Sequence, residues 1–83
     1  MTNKEIAAKI NALRKEANLT QVNFGREVIH VSQATASKKL NGQIPFSVEE
    51  IFECAEKFNV SIEFLYGLTD SRKRTGEETL APA

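Results

Sequence analysis

Residues 20–42, TQVNFGREVIHVSQATASKKLNG, hold two helix-start signals in close succession, and that spacing constrains the rest of the chain. Thr20 is placed to cap the first helix, its hydroxyl accepting an N–H bond from the opening turn. Phe24 and Val28 recur at i and i+4 with Gly25 alongside, which gives one narrow apolar face. Ile29, His30 and Val31 break the rhythm. Ser32 restarts it as a second N-cap, and a helix over residues 33–41 runs until Gly42 stops it. Its core side carries only Ala36 and Leu40, while Gln33, Ala34, Ser37 and Lys38 form the opposite face. A helix so short must be held by its neighbours, which leaves the polar face available to a ligand.

This pattern resembles the helix-turn-helix of the phage-repressor family, that is, lambda repressor, Cro and their bacterial relatives. The resemblance rests on L-T-Q at residues 19–21, the small Gly25, V-S-Q-A-T-A-S-K at residues 31–38 and L-N-G at residues 40–42. P-F-S-V-E-E-I at residues 45–51 extends it, and F-L-Y-G-L-T-D at residues 64–70 is similar to the family's closing helix. Several matches in fixed order over residues 4–70 are far more specific than any one alone. Two departures stand out. The family usually has a single glycine in the turn, whereas Ile29 and His30 make this turn one residue longer, and Lys39 stands where the family often has an apolar residue.

The flanking chain reads as further helices. Thr2 and Glu5 fit a capping box, followed by Ile6, Ile10, Leu13 and Ala17 as one apolar stripe, with Lys4, Arg14 and Lys15 on a solvated surface. Asn18 ends that helix, and Leu19 plugs the core. Gln43, Ile44 and Pro45 form a short connection that cannot be helical through the proline. Ser47 and Glu50 make a second capping box ahead of Val48, Ile51, Phe52, Ala55 and Phe58, the strongest apolar face in the chain. Glu49, Glu53 and Glu56 cluster on its other side, a strip that would repel DNA, so this helix belongs at the back. Ser61 caps a last helix through Tyr66, stopped by Gly67. The expected fold is all-α: five short helices in one domain, residues 1–70, carrying the helix-turn-helix. Residues 71–83, SRKRTGEETLAPA, read as a poorly ordered tail in which Arg72, Lys73 and Arg74 are solvated.

Charge bears on the partner. Formal net charge is zero, yet residues 1–44 hold seven Lys/Arg against three Glu, and residues 45–83 hold four against eight Asp/Glu. A molecule so polarised can turn one basic face to phosphate while neutral overall. No apolar run approaches the ~20 residues needed to span a bilayer, and no signal-peptide core is visible. The single Cys54 suits a reducing compartment and a buried position, so a cytoplasmic location is expected. With one His30 and one Cys54 there is no metal constellation, and no phosphate loop or nucleophile motif appears. Neither catalysis nor a cofactor or small-molecule substrate is expected.

The resemblance implies roles for individual residues. Gln33 matches a glutamine that commonly touches DNA in the major groove, where an amide can pair with adenine N6 and N7. Ala34 can meet a thymine methyl, and Ser37 and Lys38 reach the next bases or a phosphate. Gln21 matches a position that grips phosphate at a helix N-terminus, and Asn41 and Gln43 match a loop that contacts the backbone. Ile62, Leu65 and Tyr66 suffice to dock the last helix, leaving Phe64 and Leu68 as surplus apolar area for a dimer contact. The implied function is sequence-specific transcriptional repression by a homodimer on a two-fold DNA operator. The alternative is an antitoxin-type or other protein-interaction module built on the same fold.

Overall fold

Every helix among the described residues begins at a hydroxyl. The computed structural model describes residues 2–73 and shows α1 (Asn3–Glu16), α2 (Gln21–Glu27), α3 (Gln33–Leu40), α4 (Val48–Phe58) and α5 (Ile62–Leu65), with no strand among the described residues. The N-caps are Thr2, Thr20, Ser32, Ser47 and Ser61, each accepting the N–H of the residue three further on. Glu5 and Glu50 reach back to close reciprocal capping boxes on α1 and α4. These bonds are local in sequence, so they set the boundaries before any packing is considered.

Phe24, fully buried on α2, is the centre of the core. The Phe58 ring stacks on it and the Phe46 ring meets it edge-on, both with centroids 6.3 Å away. Ile10 and Leu13 of α1, Ala36 and Leu40 of α3, Ile51 of α4 and Leu65 of α5 close around it. Leu19 packs against this cluster as expected.

Two stripes differ from the sequence reading. On α1 the buried residues are Ala7, Ile10 and Leu13; Ile6 is only partly covered, and Ala17 is exposed as the C-cap because the helix has already ended. Arg14 is not simply solvated. Its guanidinium donates to the Leu19 carbonyl at 2.6 Å and to Asn11 Oδ1 at 2.9 Å, bracing the link into α2. On α4 the face is rotated: Ile51, Cys54 and Ala55 are buried with Glu50, whereas Val48 and Phe52 stand 64% and 52% exposed. An ion pair turns it. Lys39 Nζ of α3 donates to Glu50 Oε1, both side chains being 11% exposed, and this carboxylate also accepts the Ser47 N–H at 2.8 Å.

The chain beyond α5 is tied down for a short distance. Arg72, expected to be solvated, makes two 2.9 Å bonds to the Glu16 carboxylate while its carbonyl accepts the Ser61 N–H at 3.0 Å. Arg74 and the rest of the expected tail lie outside the described residues. Cys54 is buried as expected, and burial, with Glu50 and Glu53 nearby, pushes its thiol up to about 12, which leaves it inert.

Burial alone would raise the Glu50 pKa, but Lys39 and the Ser47 N–H outweigh it and hold the carboxyl below its ordinary 4.5. A carboxylate depressed on folding adds stability that is complete above the unfolded pKa and drains as pH falls through the folded one. Lys39→Met should therefore cost about 2–3 kcal/mol at neutral pH in urea unfolding. The stability gap between wild type and Glu50→Gln should close as pH is lowered below the carboxyl's ordinary 4.5 and through its depressed folded value. A gap that persists at the lower pH would show that the carboxylate charge contributes nothing.

Candidate nucleic-acid interface

The geometry of the pair α2 and α3 is set where they nearly touch. A Cβ built on Gly25 would stand 3.0 Å from Ala36 Cβ and 3.0 Å from the Val31 carbonyl oxygen. Glycine on α2 and alanine on α3 thus let the two backbones approach far closer than larger side chains allow. The Val31 N–H donates to the Gly25 carbonyl at 2.8 Å, straddling the turn. The two residues that lengthen the turn divide its work. Ile29 drops into the core at 3% exposure, and His30 takes the left-handed conformation, φ 57°, that a glycine would supply more cheaply. His30 Nε2 lies 3.0 Å from Glu53 Oε2 on α4, so the turn is also held from behind.

Held in this way, α3 presents the expected face. Ala36 and Leu40 are buried, Lys39 is engaged by Glu50, and Gln33, Ala34 and Lys38 are exposed with Ser37 half-covered beside them. The Ser32 hydroxyl and carbonyl accept the Thr35 and Ala36 N–H groups. The amides of Gln33 and Ala34 therefore open outward at the helix start. On α2 the Thr20 hydroxyl and carbonyl likewise accept the Asn23 and Phe24 N–H groups, next to a half-buried Gln21.

The loop after α3 is different. Its Asn41, Gly42 and Gln43 N–H groups donate to the Ser37, Lys39 and Lys38 carbonyls at 3.0, 3.1 and 2.9 Å. An anion arriving here would be met by the exposed side chains of Asn41 and Gln43, not by backbone amides. Lys4 lies against the same loop: a Cβ on Gly42, whose φ is +79°, would stand 2.7 Å from Lys4 Cγ and 3.0 Å from its Cα. Sequence reasoning left Lys4 on a solvated helix surface, because nothing local signals that α1 starts beside the end of α3.

Of the residues expected at a dimer contact, Leu68 is 77% exposed. Phe64 is half-buried, its ring centroid 4.7 Å from Lys9 Nζ and 5.5 Å from the Arg72 guanidinium, and Lys9 also donates to its carbonyl. Among the described residues no cluster of three or more metal-ligating side chains occurs, and no helix is long and apolar enough to cross a membrane.

A family model described as helix-turn-helix, of the Cro/C1 type, matches residues 10–65, from within α1 to the end of α5. The chain belongs to this helix-turn-helix family, a class of DNA-binding transcription regulators that is generally non-enzymatic. No curated protein and no solved structure shows a significant match.

The contact at Gly25 can be tested directly. Gly25→Ala should lower the urea midpoint by the equivalent of about 1–3 kcal/mol, the usual cost of overpacking a closed contact. Gly25→Val should cost more. An unchanged midpoint for the alanine variant would mean that the turn and Ala36 yield freely.

Proposed function

We propose that this protein is a transcriptional repressor of the phage or prophage kind, acting in the cytoplasm as a homodimer on a two-fold operator. Residues 1–70 form its DNA-binding unit. The supporting observation is the outer face of α3, where Gln33, Ala34, Ser37 and Lys38 share one side while the opposite side is locked by Ala36, Leu40 and Lys39. In this reading α3 enters the major groove with Gln33 leading and Ala34, Ser37 and Lys38 following. Gln21, Asn41 and Gln43 hold the flanking phosphates and set the register. Phe64 and Leu68 form the contact between protomers. No cofactor or small-molecule substrate takes part. A second reading, an antitoxin-type or other protein-interaction module, is favoured by Val48 and Phe52, an exposed apolar pair one turn apart on α4.

Base readout is tested by binding to a library of randomised half-sites. Gln33→Ala should cost about 1–3 kcal/mol on the selected site and relax preference at one base-pair position per half-site. Lys38→Ala, with phosphate as partner, should weaken all sequences alike and reduce the salt slope by about one. An intact preference profile in Gln33→Ala would sink this assignment, and a wild type that selects no sequence would favour the protein-interaction reading. For the dimer, Leu68→Glu and Phe64→Ala should each shift sedimentation toward monomer with the helical signal retained. A wild type that dimerises while both variants sediment unchanged would move the contact elsewhere, first to Val48 and Phe52.

A further inference from the structure

We infer that Lys4, at the start of α1, is a phosphate-binding residue that completes the site formed by Asn41 and Gln43; this rests on the DNA-binding reading above. The loop 41–43 has a deficit that its own residues cannot fill. Its amides are consumed by the carbonyls at the end of α3, and the side chains left to face a phosphate, Asn41 and Gln43, are neutral. A phosphate held there needs a cation, because charge neutralisation supplies most of the sequence-independent affinity. Lys39, the nearest lysine in sequence to this loop, is committed to Glu50.

Lys4 fills the deficit by packing. Its Cα, Cβ and Cγ lie along Gly42, within 3.0, 3.4 and 2.7 Å of where a Cβ would stand, so the stem is laid against the loop between Asn41 and Gln43. The Lys4 side chain takes no ion pair or hydrogen bond among the described residues and is exposed, so its ammonium is free to reach a ligand at the loop. Its position runs against local preference. A cation in the first turn meets the positive end of the helix dipole, where Glu5 is the favourable choice. Gly42 is equally bound to this arrangement, since any side chain there would displace the Lys4 stem.

The test measures anisotropy of the full chain on a mixed-sequence duplex of about 25 bp between 50 and 200 mM salt. Lys4→Gln keeps most of the stem and removes the charge. It should reduce the log–log salt slope by about 0.9 per bound subunit, so the wild-type advantage shrinks about 3.5-fold across that range. Lys4→Arg should keep the wild-type slope. Lys4→Glu should weaken binding further without lowering Tm, because an acidic residue suits the helix start. Such opposed effects on binding and stability are not produced by a residue that only packs. A Lys4→Gln slope equal to wild type overturns the inference and leaves the functional reading standing. Lost binding accompanied by a lowered Tm in both Lys4→Gln and Lys4→Glu also overturns it, in favour of a packing role. A wild type with no salt-dependent duplex binding overturns the functional reading itself.

Discussion

The rest of the structure depends on how closely α2 can approach α3, and that is decided at Gly25. With Ala36 Cβ and the Val31 carbonyl both 3.0 Å from where its side chain would begin, the site accepts hydrogen and nothing larger without displacement. Neither helix is long enough to be stable alone. Their contact, and the Phe24 ring buried beneath it, supplies what propensity does not. Because α3 buries only Ala36 and Leu40, its tilt rests on very few atoms, and a small change at Gly25 would move its whole outer face.

A second constraint acts from behind. Lys39 and Glu50 take the place of an apolar contact between α3 and α4, and the same carboxylate closes the α4 capping box. One side chain therefore fixes where α4 starts and how α3 is held against it. A pair this deeply covered earns little net stability over a hydrophobic one, since desolvation offsets most of the attraction. What it contributes is direction. Two point contacts set the rotation of α4 about its axis, and the outward position of Val48 and Phe52 follows from that rotation.

Legibility in the sequence divided along physical lines. All five N-caps were readable because a cap bond spans three residues and owes nothing to tertiary structure. The buried Cys54 and the outer face of α3 were readable from periodicity. Of the expected α4 face, Ile51, Ala55 and Phe58 do turn to the core, but the outward turn of Val48 and Phe52 was not readable, because it goes with a lysine eleven residues from Glu50 in sequence. Arg14 and Arg72 were misjudged for the same reason. Long cations look solvated until the fold brings them a carbonyl or a carboxylate.

Of the seven Lys/Arg in residues 1–44, Lys39 is the one paired with a carboxylate among the described residues. Lys9 is held by the Phe64 ring and carbonyl, Arg14 by the Leu19 carbonyl and Arg26 by the Asn23 side chain, neutral partners that leave the charge in place. Lys4, Lys15 and Lys38 keep their charge outward among the described residues. The chain's formal net charge is nevertheless zero, which gives it little long-range steering toward a polyanion. On the DNA-binding face proposed above, the hold would come from short-range contacts, in which neutral amides such as Gln33, Asn41 and Gln43 would contribute only when correctly seated. That arrangement favours discrimination over indiscriminate attraction, because a misplaced amide gains nothing while a misplaced lysine still finds a phosphate. In the homodimer proposed above, a second subunit would be worth more than in a strongly basic domain, since two-fold binding would double the number of seated contacts without raising the net charge.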